Sequence, residues 1–167
     1  MAEITTTFET SIKKLLEQKK FNSLKDILTT MHPADIAILF EGLPKQKLAL
    51  LFRILPKELA AEAFVEMESN LQQMLIDGFS DRELKDILDE LYMDDTVDLI
   101  EEMPANVVKR ILSQADPDTR RLINEMLMYP EDSAGSMMTT EFVDLRPDMT
   151  ASDAVDHIRA TGIDKET

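Results

Sequence analysis

Apolar residues recur every twelve positions between Ala34 and Leu127. One position of this repeat is apolar in every copy: Leu39, Leu51, Ala63, Leu75, Ile87, Leu99, Ile111 and Ile123. Within each copy the apolar residues stand at i, i+3, i+4 and i+7, as in the stretch 36–43, and this spacing places them on one face of an α-helix. The pattern therefore predicts one short helix in every twelve residues.

The residues between the apolar stretches are types that end one helix or begin the next. Pro44, Pro56 and Pro104 share one position of the repeat, and Ser80 and Asp116 occupy it in two other copies. Proline interrupts a helix, and Ser and Asp cap helix N-termini. A helix about 14 Å long is unstable alone in water, so neighbouring helices must stack. We expect an all-α fold, a right-handed superhelical array of short antiparallel helices.

Two further helices are predicted ahead of the repeats. The first spans residues 5–20, with Thr6 and Glu9 at the spacing of a capping box. The second ends before His32-Pro33, because the residue that precedes a proline avoids the helical region. His32 itself is expected to cap or pack at this helix boundary.

The sequence pattern changes after Tyr129-Pro130. Residues 131–136 are rich in turn formers. The stretch 141–145 alternates like a short strand, and Thr150 begins a helix, so residues 138–167 are predicted to open an α/β domain. We assign residues 1–128 to a helical N-terminal domain, 129–137 to a linker and 138–167 to an incomplete second domain. Because no further strands follow, we expect the chain to be a piece of a longer protein.

Composition narrows the function classes. The 167 residues include no cysteine, which excludes disulfides, zinc-thiolate sites and thiol catalysis. No apolar run approaches the roughly 18 residues of a membrane span, so we expect this chain by itself to be soluble and intracellular. Ser133 and Ser136 flank a glycine without any catalytic triad, and His157 has no second metal-type ligand nearby. We therefore expect no enzymatic activity.

The net charge of −15 is concentrated in the second half of the chain. The segment Asp81–Glu102 holds ten carboxylates against Arg82 and Lys85. Nucleic acid is an unsuitable partner for such a surface, because phosphate binding requires positive charge. A cation is the more natural ligand.

Asp94 and Asp98 are the best candidates for a cation site within this acidic segment. They stand at i and i+4, so their carboxylates project from the same helix face. Mg²⁺ takes oxygen ligands, keeps several waters and needs only one or two carboxylates from any one element. The alternative interpretation is that these residues only solvate the helix face and that Asp94 caps its N-terminus.

Two stretches resemble the cytosolic N-terminal region of the MgtE family of magnesium transporters. They are HPADIA at 32–37, followed by the twelve-residue units, and YPEDSAGSMMTTEFV at 129–143. The resemblance implies a helical N domain followed by a pair of CBS domains, a connecting helix and a dimeric transmembrane domain. Residues 138–159 resemble the first half of the first CBS domain.

The same resemblance implies a function and a set of site residues. Members of the family use these domains as a magnesium sensor, in which bound Mg²⁺ holds the cytosolic domains together and keeps the channel closed. Glu62, Asp94 and Asp98 match N-domain positions that contribute metal ligands. The implied partner is the remainder of the same polypeptide, in a homodimer whose sensing region lies on the cytoplasmic side of the cell membrane.

Two alternatives of other classes remain open. A helical-repeat scaffold that binds another protein, as motor-switch proteins do, would present an exposed apolar groove instead of an acidic face. A carboxylate-based hydrolase would need a concave pocket with paired acids of differing pKa, and the sequence shows no sign of one.

Overall fold

The computed structural model describes residues 11–12, 14–130, 132–163 and 165–167. Its helices are α1 (Phe21–Leu28), α2 (Pro33–Glu41), α3 (Lys45–Phe52), α4 (Lys57–Val65), α5 (Ser69–Gly78), α6 (Asp81–Leu88), α7 (Met93–Glu102), α8 (Ala105–Gln114), α9 (Pro117–Met126) and α10 (Ala151–Thr161). Residues 11–12 and 14–17 are also helical, within the predicted first helix. Its capping pair, Thr6 and Glu9, lies outside the described residues. Across the described ranges, no helix is both long and apolar enough to cross a membrane.

The all-α class predicted for the repeats is confirmed, and α1 to α9 begin twelve residues apart, from Phe21 to Pro117. Local caps set several of these starting points. Ser80 and Glu83 form the predicted capping box of α6, and the Asp116 carboxylate accepts hydrogen bonds from two backbone N–H groups of α9. His32 caps α2, where its Nδ1 accepts from the Ala34 N–H at 3.4 Å. Each cap satisfies a donor that lacks a partner within the helix.

The chain divides into two compact units, Met1–Glu90 with Met103–Gln114, and Leu91–Glu102 with Ala115–Thr167. In the first unit α2 packs on α4, α4 on α6, α6 on α8 and α3 on α5, and α5 also packs on α8. Its core is largely aliphatic, with Phe52 at ring-centroid distances of 6.2 Å from Phe64 and 5.4 Å from Phe79. The right-handed superhelix and the antiparallel pairing of its helices stay predictions. The predicted boundaries after residues 128 and 137 stay predictions.

An arginine of α8 secures the junction between α5 and α6 in the first unit. The Arg110 guanidinium donates to the carbonyl oxygens of Ile76 and Phe79 and, at 3.0 Å, to Asp81. Arg53 donates to Glu83 at 2.6 Å and to the Gly78 carbonyl at 3.2 Å. Carbonyls at a helix C-terminus lack intrahelical partners, so the two arginines supply donors at the end of α5. The Ile76 carbonyl already accepts from the Phe79 N–H, and Arg110 adds a second hydrogen bond to it.

In the second unit α7 packs with α9, and the predicted helix after Thr150 is present as α10, with Thr150 and Asp153 forming its capping box. The predicted strand at 141–145 is wrong, because no strand occurs among the residues that the structure describes. The segment has no regular secondary structure but makes backbone hydrogen bonds: Val143 N–H donates to Thr167 O at 2.7 Å, and Glu166 N–H donates to Glu141 O at 2.9 Å. Two adjacent residues are too short a partner for a β-ladder.

Candidate functional site

The acidic N-terminus of α7 is the candidate functional site, and it lies within the second unit. Asp94 and Asp95 stand in the first turn of α7. Asp94 follows Met93, the first helical residue, so the alternative in which Asp94 is the N-cap is wrong. The buried residues of this helix are Thr96, Val97, Leu99 and Ile100. Asp98 is exposed, and Asp94 and Asp95 are partly buried.

Glu141 reaches this helix end from the segment after the predicted linker. Its Oε2 accepts from the Met93 N–H at 3.4 Å and from the Thr140 hydroxyl at 2.9 Å. Its backbone carbonyl accepts from the N–H groups of Glu166 and Thr167. The capping contact therefore brings two more carboxylates, those of Glu141 and Glu166, to the acidic end of α7.

The resulting group of carboxylates is electrostatically strained. Burial raises the pKa of Asp94 above its usual value, and the negative charges of Glu166 and Glu141 raise it further. The pKa of Asp95 rises to about 6, first through burial and then through the charges of its acidic neighbours, Asp94 foremost. The pKa of Asp98 is also raised, by burial and by the charge of Glu102. Each shift records a charged form that the site disfavours in the absence of a cation.

One oxygen of Asp94 lacks any hydrogen-bond partner. Asp94 Oδ1 is the single buried side-chain nitrogen or oxygen atom in the described part of the chain without one. A buried acceptor without a donor costs roughly 1–3 kcal/mol, and more when it is charged. The backbone N–H groups of Asp94 and Asp95 interact with this carboxylate and lower its pKa, but neither provides a hydrogen bond to Oδ1. Because this oxygen is buried, a cation or its bound water reaches it only when the Asp94 side chain turns toward solvent.

The described side chains supply some of the ligands that a bound Mg²⁺ ion requires. Carboxylate oxygens are the ligands that Mg²⁺ prefers, and the ion retains several waters when only one or two carboxylates bind it. Within residues 11–12, 14–130, 132–163 and 165–167, no group of three His, Cys, Asp or Glu side chains is arranged to hold a metal ion. The described chain thus offers part of a coordination shell.

The three residues predicted as ligands belong to two different units of the chain. Asp94 and Asp98 share α7 in the second unit, whereas Glu62 is exposed on α4 in the first unit. Sequence reasoning missed Asp95, although it stands inside the acidic run of α7. It also missed Glu141 and Glu166, for which the local spacing gave no signal.

Comparisons with known proteins agree with the sequence resemblance. The profile of the MgtE intracellular N domain matches residues 31–132. The magnesium transporter MgtE of Thermus thermophilus is 30% identical over 161 residues, which cover 94% of this chain and 36% of that protein. The magnesium transporter MgtE of Bacillus subtilis is 24% identical over 141 residues, covering 84% of this chain and 31% of that protein. The chain spans about a third of the length of these relatives.

Solved structures show the same relationship. The cytosolic domain of the Mg²⁺ channel MgtE, crystallised in complex with ATP, is similar with a TM-score of 0.81 and 29% identity, covering 95% of this chain and 65% of that one. The soluble part of a magnesium transporter has a TM-score of 0.84 at 22% identity, covering 98% of this chain and 64% of that one, and supports the fold alone. Because the family profile covers more than half of the sequence, the chain belongs to the MgtE intracellular N domain family.

Proposed function

We propose that this chain is the cytosolic, Mg²⁺-sensing region of a magnesium transporter or channel, and that it gates the transmembrane pore through Mg²⁺-dependent docking of N and CBS domains. Family membership and the magnesium transporters among its relatives support this assignment. Its partner is the remainder of its own polypeptide, in a homodimer, with the sensing region on the cytoplasmic side of the membrane. No catalytic step is part of this function.

The observation that carries the proposal is the unpartnered Oδ1 of Asp94 among mutually repelling carboxylates. Asp94 and Asp98 would hold the ion from one helix face, in part through its waters. Glu62 would supply a ligand from α4, with its partner ligands coming from the remainder of the polypeptide. Because each element of this chain supplies so few ligands, its affinity for Mg²⁺ would be far weaker than micromolar.

Sensing then follows from differential affinity. Without a cation, like charges on facing acidic surfaces repel and favour the separated arrangement of the domains. The docked arrangement presents more carboxylates to each ion, so rising Mg²⁺ concentration shifts the population toward it. A tenfold preference at one site contributes about 1.4 kcal/mol, and several such sites together make the response steep.

Thermal unfolding in MgCl₂ tests this proposal, with NaCl at matched ionic strength as the reference. We expect millimolar MgCl₂ to raise the unfolding midpoint of the parent beyond the NaCl reference. Asp94→Ala/Asp98→Ala should lose that gain. Asp118→Asn/Glu125→Gln, which removes the same charge from exposed positions of α9, should retain it. Equal responses of parent and Asp94→Ala/Asp98→Ala would contradict metal binding by this pair.

A helical-repeat scaffold without metal sensing remains the second candidate. Exposed large apolar residues do occur, at Phe142, Leu145, Val155 and Ile158 of the second unit and at Ile38 of the first. Asp94 Oδ1, which has no hydrogen-bond partner, favours the cation-binding function over this alternative.

A further inference from the structure

The ring of Tyr129 packs directly on the backbone of Gly135, and both residues belong to the second unit. A Cβ atom built on Gly135 would lie 2.5 Å from Cγ and 2.8 Å from Cε1 of this ring, closer than the 3.0 Å that Cβ atoms keep from other heavy atoms. The φ angle of Gly135 is not positive, so an alanine there meets the ring without any backbone strain. The close approach of Tyr129 is therefore what requires a glycine at this position.

Hydrogen bonds hold both sides of this contact. The Tyr129 N–H donates to the Met126 carbonyl at 3.0 Å, at the C-terminal end of α9. On the other side, the backbone N–H and the hydroxyl of Ser136 donate to the Ser133 carbonyl at 3.2 Å and 3.0 Å. The ring thus fixes the Ser133–Ser136 turn to the end of α9.

A short connection joins this turn to Glu141. Residues 137 and 138 separate Ser136 from Thr139, whose hydroxyl accepts from the Glu141 N–H at 3.2 Å. Two residues span at most about 7 Å, so the direction in which the chain leaves Ser136 limits where Glu141 can lie. The placement of the turn is therefore passed on to the residue that caps α7.

We propose that the Tyr129–Gly135 contact positions Glu141 to cap α7. Tyr129 and Gly135 act only through Glu141, whose Oε2 accepts from the Met93 N–H at 3.4 Å. The cap requires no metal ion, so this inference goes beyond the proposed function. One consequence does rest on that function: the contact would also keep the charge of Glu141 close to Asp94, on which it acts.

The backbone amide shift of Met93 in metal-free NMR spectra tests the proposal, and the change caused by Glu141→Ala defines loss of the cap. Gly135→Ala should produce about half of that change or more, because Cγ cannot leave the overlap by ring rotation and the whole Tyr129 side chain must change rotamer. Tyr129→Phe keeps the ring and should leave the Met93 shift unchanged. Gly78→Ala is the matched glycine control, because its Cβ would meet no atom within 4 Å.

A double-mutant cycle separates positioning of Glu141 from a role confined to the turn. Glu141→Ala should raise the equilibrium constant of unfolding about fivefold in the parent. In Gly135→Ala, where the cap is already lost, the same change should have less than about a twofold effect. In Gly78→Ala the fivefold effect should persist. Tyr129→Ala removes the ring without adding an overlap, should repeat the results of Gly135→Ala, and replaces it where that variant does not fold.

Two results would overturn the proposal. One is an unchanged Met93 shift in Gly135→Ala and Tyr129→Ala, and the other is an equal effect of Glu141→Ala in the parent and in these variants. Because every measurement is made without Mg²⁺, a failure of Mg²⁺ binding at α7 would contradict the proposed function and not the positioning of Glu141.

Discussion

Glu141 caps α7 by accepting a hydrogen bond from the Met93 N–H at 3.4 Å, across 48 positions of sequence. A carboxylate at a helix N-terminus satisfies a free donor and interacts favourably with the helix dipole. The same carboxylate raises the pKa of Asp94 through its charge. Glu141 therefore stabilises the helix end and increases the electrostatic strain of the candidate site.

Variants of Glu141 separate these two effects. Glu141→Ala should destabilise the second unit by about 1 kcal/mol, because the cap is lost. Glu141→Gln keeps an acceptor and removes the repulsion, so its cost at pH 7 should be smaller. Denaturant unfolding measures both, with Asp144→Ala at an exposed neighbouring position as control. An equal cost for Gln and Ala would show that the cap requires the charge.

Titration of Asp95 should contribute to the pH dependence of the free energy of unfolding. Its pKa of about 6 in the folded chain lies above the ordinary aspartate value of 3.8, so the folded state retains this proton at pH values where the unfolded state has released it. The contribution of Asp95 is therefore complete below about pH 4 and is lost as the pH rises through 6. For a partly exposed group we expect on the order of 1 kcal/mol after solvent screening.

Asp95→Asn is the variant that isolates this contribution. The parent should lose stability relative to Asp95→Asn between pH 4 and pH 7. Unfolding by denaturant at a series of pH values, with the difference taken between the two proteins, measures it. A difference that does not change with pH would mean that Asp95 titrates normally.

The pH dependence of stability that Glu83 contributes should have the opposite sign to that of Asp95. The pKa of Glu83 is lowered to about 2, first by the hydrogen bond from Arg53 and then by those from Ser80. The stability that it contributes is present above the ordinary glutamate pKa of 4.5 and is lost as the pH falls toward 2. Glu83→Gln should therefore remove part of the acid sensitivity of the first unit, as monitored by circular dichroism below pH 4.5. Unchanged acid unfolding of this variant would count against the Arg53–Glu83 pair.

Arg110, whose side chain is partly buried, is expected to be the charged position of α8 that is most sensitive to substitution. Arg110→Met removes the donors to the Ile76 and Phe79 carbonyls and to Asp81. Loss of donors to partly buried acceptors should cost about 2 kcal/mol in the free energy of unfolding. Arg121→Met serves as control, because Arg121 is exposed and its guanidinium lies 3.6 Å from a carboxylate oxygen of Asp118. A cost for Arg110→Met no larger than that of the control would rule out the anchoring role.

Local signals made much of the fold predictable. The twelve-residue period anticipated the spacing of the helices, and the pairs Ser80–Glu83 and Thr150–Asp153 stand three residues apart, where cap geometry can be recognised from sequence. The prediction of a strand at 141–145 was wrong because a strand requires a pairing partner, which an alternating pattern within one segment does not supply.

The candidate site was predictable only where its residues share one helix. Asp94 and Asp98 follow from i, i+4 spacing within α7. The capping of this helix by Glu141, and the approach of Glu166 through its backbone contact with Glu141, depend on the folded path of a distant segment. No local pattern encodes that path, and neither the burial of Asp94 Oδ1 nor the raised pKa of Asp95 can be inferred without it.

A magnesium titration of the ¹⁵N-labelled chain followed by NMR tests the central claim most directly. With NaCl at matched ionic strength as reference, we predict saturable shifts of backbone amides at 93–98 and at Glu141, with a midpoint far above micromolar Mg²⁺. These shifts should disappear in Asp94→Ala/Asp98→Ala and persist in Asp118→Asn/Glu125→Gln. Shifts no larger than those in NaCl, or shifts at 93–98 that persist without Asp94 and Asp98, would contradict Mg²⁺ binding at the acidic end of α7.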